Sequence, residues 1–212
     1  MSTRDEILDR LRNGQRAGTA PGPWISRRQY ADLAGQFTGA LTAAKGEVRQ
    51  ADSLEGALEQ LGNLINEIGA RRILADWQFP ITEIDFSGRW PDLNWHLAGQ
   101  SEGDLRDFAI SADMGLSVGQ VALAETGSVL ISSGPGQSRL TSLLPPVHVV
   151  LVPASCLTAD IFTWTAGRQE ELPASLTLIS GPSKTADIEQ TMAIGVHGPG
   201  RFVAILYDDE SQ

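Results

Sequence analysis

A carboxylate and a hydroxyl stand together at a predicted strand end in segment 124–128, which reads AETGS. Ligands of open α/β sheets bind at the loops beyond strand ends, so Glu125 could act as a base, a nucleophile or a ligand anchor. The alternative is a β-hairpin that turns at Thr126 and Gly127 and leaves the carboxylate in solvent. The spacing alone leaves both interpretations open.

A glycine-rich loop follows at 132–139, with the sequence SSGPGQSR. Its glycines can turn backbone N–H groups toward a ligand, and Arg139 offers a bidentate fork for a carboxylate or a phosphate. The loop matches neither a P-loop nor a dinucleotide-binding fingerprint, because the required glycines and lysine are missing. The alternative is a polar surface loop without a ligand.

Segment 179–189, ISGPSKTADIE, predicts a strand that ends at Gly181 and a helix over 183–191. The helix N-terminus would then hold Ser183, Lys184 and Thr185. Unpaired amides at a helix start, together with a lysine, make a ready anion site. The alternative is ordinary capping by a hydroxyl, although no Glu or Gln follows three residues later to complete a capping box.

The histidines and the single cysteine limit the metal chemistry that this chain can perform. His96, His148 and His197 show no metal-binding spacing, so we predict no metal site. Taken alone, His148 at a strand start is typical of a hydrogen-bonded structural histidine, whereas His197 lies between glycines and is a candidate site residue. Cys156 alone can hold neither a disulfide nor an iron–sulfur cluster, and we expect it to be structural. A lone cysteine favours the reducing cytoplasm.

Composition and charge restrict the class of protein and its partners. The chain has 212 residues, of which 42% are hydrophobic and 20% charged, so it has ample apolar material for one core. A net charge of −10 argues against a nucleic-acid backbone or an anionic membrane as the main partner. The sequence also shows neither a signal peptide nor an apolar run of the roughly 18 to 20 residues that a membrane helix needs.

Helical periodicity dominates the first third of the chain. The spacing predicts a helix over 3–13, a second that follows Ser26, and a third from Ser53 to a glycine cap at Gly69. Short apolar runs separated by Gly or Pro follow, which indicates an α/β layered domain with a helical N-terminal layer. We therefore predict an N-terminal helical segment over 1–50 and one α/β domain over 51–212. The predicted strands lie at 72–76, 121–124, 128–132, 147–152, 176–180 and 202–207, and two further helices at 155–166 and 183–191.

Taken together, these segments resemble the lactate utilization protein C family, which is built around the LUD domain. The matching stretches run in the family's order, and the run GPSKTADI followed by GVHGP is specific to it. The family usually has Gly-Ile-Thr-Gly-Ala before the Glu-Thr-Gly motif, where this chain has GLSVGQ at 115–120. The matching stretches are 124–128, 132–139, 143–148, 181–188 and 195–199.

The resemblance implies a Rossmann-like layered α/β fold with a mixed, largely parallel sheet. This fold is similar to that of ribose-5-phosphate isomerase, glucosamine-6-phosphate deaminase and the CoA-transferases. The resemblance also implies a role, with two companion proteins, in oxidising L-lactate to pyruvate. Because this chain lacks cluster cysteines, we expect it to bind no cofactor alone and the iron–sulfur clusters to lie on the partner proteins.

Two function classes remain open from the sequence. In the first, a cleft binds or transforms a small anion such as lactate, with Glu125 and His197 converging as catalytic residues and Arg139 holding the carboxylate. In the second, the chain is a non-catalytic docking or assembly subunit. A transferase-like or isomerase-like enzyme acting on a small anionic metabolite is a further alternative. The predicted substrate-binding residues are Thr126, Gly127, Arg139, His148, Gly181, Ser183, Lys184, Thr185, Asp187 and Gly198.

Overall fold

The computed structural model describes residues 3–14, 24–167, 173–186 and 192–209, in which twelve short strands and seven helices form the fold. In chain order the strands are β1 (Glu47–Ala51), β2 (Arg72–Ala75), β3 (Asn94–Leu97), β4 (Met114–Val118), β5 (Val121–Leu123), β6 (Ser128–Ser133), β7 (Val147–Pro153), β8 (Leu157–Thr158), β9 (Ser175–Ile179), β10 (Lys184–Ala186), β11 (Met192–Ile194) and β12 (Arg201–Tyr207). The helices are α1 (Thr3–Gly14), α2 (Leu33–Ala43), α3 (Leu54–Ile68), α4 (Phe86–Arg89), α5 (Leu105–Ile110), α6 (Arg139–Leu143) and α7 (Ile161–Gly167). Short 3-10 turns lie at Ile81–Glu83 and Ala154–Cys156.

The central sheet has six strands in the order β1-β12-β7-β4-β2-β3, and every neighbouring pair is parallel. Its middle strands are nearly continuous apolar runs because both faces of the sheet are covered. A second sheet, in the order β8-β5-β6-β9, contains the antiparallel pairs β5–β6 and β6–β9 and the parallel pair β5–β8. The predicted layered α/β fold with a largely parallel sheet is confirmed.

The two faces of the central sheet bury two separate apolar clusters. Side chains alternate along a strand, so Val149 of β7 packs under α3 while Val150 points to the opposite face. That opposite face is covered by Phe37 and Leu41 of α2 and by the second sheet. A side chain two residues from Val150 therefore points toward the second sheet, which places His148 on that face.

The helix predictions are partly confirmed. Ser53 caps α3 through its side chain, and Gly69 ends the helix in the left-handed conformation, as predicted. The second helix begins later than predicted because Asp32, and not Ser26, accepts the capping hydrogen bond. The hydroxyl of Ser26 instead donates to Asp160. α7 also begins later than the predicted residue 155, after a 3-10 turn and β8.

The helix predicted over 183–191 is wrong for the part that the structure describes. Residues 184–186 form β10, which pairs with β11 in an antiparallel ladder, while residues 187–191 lie outside the described part of the chain. The backbone of Ser183 is also used, since its N–H donates to Pro199 and its carbonyl accepts from Gly195. Helix amides therefore do not supply an anion site at Ser183.

The predicted boundary between residues 50 and 51 falls inside β1. This strand pairs with β12 over its whole length, and α2 packs against the same sheet. The chain before residue 51 thus contributes an edge strand and a covering helix to the α/β unit.

Two glycine substitutions test the packing of the central sheet. A Cβ at Gly115 in β4 would collide with the backbone carbonyl of Thr141, so Gly115→Ala should lower the free energy of unfolding by about 3 kcal/mol. Gly39 is exposed on α2 with open space around it, and Gly39→Ala should instead raise that free energy by roughly 0.5 to 1 kcal/mol. Urea unfolding of both variants measures the difference, and equal effects would contradict this packing.

Candidate functional site

Three buried polar side chains lie close together inside the fold. Asp76 is 1% exposed, Ser117 is fully buried, and His148 is 1% exposed. The Oγ of Ser117 lies 2.9 Å from Nε2 of His148, and Ser117 also acts to lower the pKa of Asp76. Burying a polar group without a hydrogen-bond partner costs free energy, so the presence of these three side chains in the interior needs a physical explanation.

Neighbouring parallel strands bring these residues together. Asp76 follows the end of β2, Ser117 lies in β4 and His148 in β7, and these strands are adjacent in the sheet. In the register of β4 and β7, Gly115 pairs with His148. Residues two apart in a strand share a face, so Ser117 and His148 both point away from α3.

The start of α6 completes the surroundings of the carboxylate. The Oδ1 atom of Asp76 accepts hydrogen bonds from the backbone N–H of Ser138 at 3.0 Å and from the hydroxyl of Thr141 at 2.8 Å. Gly115 allows this approach, because any larger residue there would displace the backbone of Thr141. Two donors from one helix start thus orient the carboxylate.

Burial changes the acid–base properties of Asp76 and of His148. It raises the pKa of Asp76 to about 6, although hydrogen bonds from Thr141, Ser138 and Ser117 act in the opposite direction. Burial also lowers the pKa of His148 to about 3, so its imidazole is neutral at pH 7. The Nδ1 atom of His148 is buried and has no hydrogen-bond partner among the described residues.

His148 lines a cleft of about 240 Å³. The end of β9 and the loop after it form one wall, the loop before β12 forms another, and α6 closes a third side. The ring of Phe202 also lines the cleft, with its centre 5.4 Å from that of His148. The polar or glycine residues of the lining are Ser142, His148, Thr177, Ser180, Gly181, Ser183, His197 and Gly198.

Five predicted site residues line this one cleft, which the structure builds from three distant segments. They are His148, Gly181, Ser183, His197 and Gly198. His197 is exposed at the rim, whereas His148 is buried. The two histidines therefore offer a ligand different environments, one dry and one open to water.

Glu125 does not line this cleft. Its Oε1 forms an ion pair with the guanidinium of Arg28 at 2.9 Å, and its backbone N–H donates to Ala159. The turn after it joins β5 to β6, as the hairpin interpretation of segment 124–128 predicted, but the carboxylate is ion-paired and 29% exposed and is not left free in solvent. The structure thus gives Glu125 an ionic partner other than His197.

The turn residues after Glu125 have structural roles. The hydroxyl of Thr126 lies 2.7 Å from that of Ser128, which in turn lies 2.6 Å from the hydroxyl of Ser180 in the cleft lining. Gly127 has a φ of 64° and abuts the backbone of Leu41 in α2, where a side chain would not fit. The turn therefore locks the second sheet against α2.

Arg139, Lys184 and Thr185 are not among the residues that line the cleft. Arg139 is exposed at the first position of α6, and Lys184 is exposed and donates through Nζ to the carbonyl of Ala44. Thr185 lies in β10, paired with Ala193. Asp187 lies outside the described residues.

Sequence reasoning missed Asp76 and Ser117. Asp76 carried a usable signal, because it directly follows a buried parallel strand, the position where α/β sheets place ligand-binding groups. Ser117 carried none, since it sits inside an apolar strand. Only the pairing of β4 with β7 brings it to His148.

Comparison with known proteins identifies the family. A sequence model described as LUD domain matches residues 34–207. The chain belongs to the LUD domain family. Lactate utilization protein C from Halalkalibacterium halodurans is 35% identical over 171 residues, covering 74% of this chain and 70% of the relative. The protein of that name from Shouchella clausii is 38% identical over 182 residues, covering 76% and 72%.

A solved LUD-type structure supports the fold. The crystal structure of a DUF162 family protein from Deinococcus radiodurans superposes with a TM-score of 0.57, covering 85% of this chain and 99% of that one. At 17% sequence identity the likeness concerns the fold alone. The family resemblance predicted from the motifs is thus confirmed.

Other features of this LUD domain bear on cofactors and reactivity. Within the described ranges, no group of three or more His, Cys, Asp or Glu side chains is arranged to hold a metal ion. None of the helices there has the length and apolarity to cross a membrane. Burial raises the pKa of the Cys156 thiol to about 12, which disfavours the reactive thiolate.

The raised pKa of Asp76 predicts how stability depends on pH. The folded protein holds a proton at Asp76 up to about pH 6, while the unfolded chain releases it near 3.8. This contribution therefore favours folding at low pH and is lost as the pH rises through that interval. The variant Asp76→Asn lacks this pH-dependent contribution. We therefore compare the free energy of unfolding of the variant with that of the wild type at each pH. The difference, variant minus wild type, should be roughly 2 to 3 kcal/mol larger at pH 7 than at pH 4.

Urea unfolding of both proteins at the two pH values measures this change. Both proteins contain His148, whose opposing contribution lowers the stability of each as the pH falls. A difference that stays constant with pH would show that Asp76 titrates as an ordinary carboxyl.

Proposed function

We propose that this chain serves a lactate utilization system by binding a small hydroxy acid such as L-lactate in the cleft at His148. The iron–sulfur clusters that accept the electrons would lie on partner proteins. The observation that carries the proposal is that the buried residue His148 lines the cleft, and that its Nδ1 atom has no hydrogen-bond partner among the described residues. The names of the relatives from Halalkalibacterium halodurans and Shouchella clausii support the ligand class.

The lining of the cleft fits a small ligand with one charged end. Phe202 and Leu178 give it apolar walls, among which a few polar groups converge, as is usual for small-molecule sites. His197 offers the nitrogens of its imidazole, and Ser183 offers a hydroxyl in the same lining. These rim groups would hold the carboxylate while the rest of the ligand reaches toward His148.

A docking role is a second candidate, favoured by exposed apolar side chains around the cleft. Leu143 and Leu178 line it and are 47% and 45% exposed. Ile194 and Val196, just before His197, are 53% and 56% exposed. Exposed apolar residues grouped around a cleft are typical of a surface that contacts another protein. In this case the chain would assemble the system without holding its substrate.

Calorimetric titration of the full chain with L-lactate tests the first candidate. The wild type should bind lactate saturably, and His197→Ala should weaken binding about 10-fold or more, because a charge-assisted hydrogen bond contributes roughly 1.5 to 3 kcal/mol. Arg139→Ala is the matched control. It removes a cation that is exposed outside the cleft lining and should leave the affinity unchanged.

Lactate-dependent electron transfer separates the two candidates. The chain would be mixed with its iron–sulfur partners, and the rate compared with that of a mixture from which it is omitted. A rate that requires this chain, together with lactate binding to the chain alone, supports the first candidate. A rate that requires the chain without any lactate binding, and that is abolished by Leu178→Asp, would favour the docking role and overturn the first.

A further inference from the structure

We infer that a groove on the face of the central sheet opposite His148 binds an arginine side chain of a partner protein. One half of the groove, the aromatic cleft, is lined by tryptophan and phenylalanine rings, and the other half, the acidic cleft, is lined by carboxylates. The expected partner is a protein segment that presents an exposed arginine next to an apolar residue. This surface is separate from the cleft at His148, so its role does not depend on the proposed function.

The aromatic cleft lies where α/β sheets usually bind ligands, at the carboxyl ends of parallel strands. Its volume is about 520 Å³, and Trp77 just after β2 and Leu97 at the end of β3 both line it. The aromatic residues of its lining are Trp77, Phe86, Trp90 and Trp95. Their rings pack on the apolar cluster beneath α3, which accounts for their apolar character but not for the cleft beside them.

The acidic cleft adjoins the aromatic cleft and has a volume of about 530 Å³. Ile84 and Asp85 line both clefts. The acidic cleft contains three carboxylates, those of Glu55, Glu83 and Asp85, and one cation, Arg89. Because Arg89 is already paired with Glu55 at 2.6 Å, the groove retains two carboxylates for a cation from outside.

The two remaining carboxylates, Glu83 and Asp85, are exposed and lightly bonded. Glu83 accepts a hydrogen bond from the hydroxyl of Thr82 at 3.4 Å, and Oδ1 of Asp85 accepts one from the backbone N–H of Gly88 at 2.9 Å. Neither forms an ion pair within the part of the chain that the structure describes. The other oxygen of Asp85 is therefore available where the two clefts meet.

Arg89 shows which cation suits this combination of groups. Its guanidinium carbon lies 5.6 Å from the centre of the Trp90 ring, while its Nη2 donates to the carboxylate of Glu55. A guanidinium can stack on an indole and pair with a carboxylate at the same time, and it is less strongly hydrated than an ammonium. An arginine from a partner would make the same two kinds of contact with the aromatic lining and with Asp85.

The shape and charge of the groove favour an arginine that is carried on a protein. Two adjoining clefts can accept two neighbouring side chains, with the arginine beside Asp85 and an apolar side chain against the rings. Free arginine has a carboxylate that the acidic groove would repel, whereas a peptide bond removes that charge. The net charge of −10 also steers basic segments toward this chain.

Titration of the full chain with acetyl-Leu-Arg-amide tests this role, with the five indole N–H signals observed by proton–nitrogen NMR. Replacement of each tryptophan by phenylalanine assigns the signals. We expect the signals of Trp77, Trp90 and Trp95 to shift saturably, and those of Trp24 and Trp164 to stay unchanged. Trp24 is 57% exposed, so nonspecific stacking of cations on indoles would shift it first. An equal shift at Trp24, or no shift at the three cleft signals, would overturn the proposed site.

Three further ligands determine what the groove recognises. Acetyl-Leu-citrulline-amide has nearly the same shape without the charge, and we expect it not to bind. Acetyl-Leu-Lys-amide and free L-arginine should each bind about 3-fold or more weakly than the arginine peptide. Equal binding of the citrulline or lysine peptide would overturn the assignment to a guanidinium. Tighter binding of free L-arginine would overturn the assignment to a partner protein.

Replacement of a single carboxylate locates the bound arginine. Asp85→Asn removes the charge but keeps a good cap for α4, and it should weaken binding of acetyl-Leu-Arg-amide about 2- to 5-fold, as expected for one exposed ion pair. Glu59→Gln is the matched control, because it removes the same charge from an exposed position of α3 outside both linings, and it should leave the affinity unchanged. Should Asp85→Asn fail to fold, Glu83→Gln takes its place with the same expected loss. Equal weakening by the cleft variant and the control would overturn the proposed site.

Discussion

The cost of burying a carboxylate and an imidazole in the same dry layer governs the structure around the cleft. Asp76 and His148 are both about 1% exposed, and each would be destabilising without partners. Two hydrogen-bond donors at the start of α6, Ser138 and Thr141, offset this cost at Asp76. At His148 the hydroxyl of Ser117 is the hydrogen-bond partner. Gly115 is the residue that lets that helix approach, so the packing of β4 and the chemistry of Asp76 depend on the same position.

The second sheet and its turns set the depth of the cleft. Gly127 and Gly181 both adopt positive φ, 64° and 105°, and both abut the backbone at or just after the end of α2. Both glycines therefore pack closely against the backbone of α2 or of the residues just after it, and neither position has room for a side chain. A hydroxyl pair between Ser128 and Ser180 ties the β5–β6 hairpin to the same wall.

Local signals predicted the elements whose ends are fixed by short-range bonds. Ser53 and Gly69 could be predicted as the two ends of α3, because each cap depends on residues within one helical turn of it. The same reasoning failed at residues 184–186, where pairing with Met192–Ile194 outweighs the local preference. The role of Ser117 could not be predicted either, since its partners come from strands far away in sequence. Glu125 had the composition of a site residue, but its ion pair with Arg28 depends on a segment nearly a hundred residues earlier.

The central claim is that His148 is kept in the core for a ligand and not for stability. Its replacement by leucine, of similar volume, tests this most directly when unfolding in urea and lactate binding are measured on the same protein. The account predicts a free energy of unfolding equal to or higher than that of the wild type, with lactate binding lost. A loss of several kcal/mol with unchanged lactate affinity would show that His148 is a structural residue.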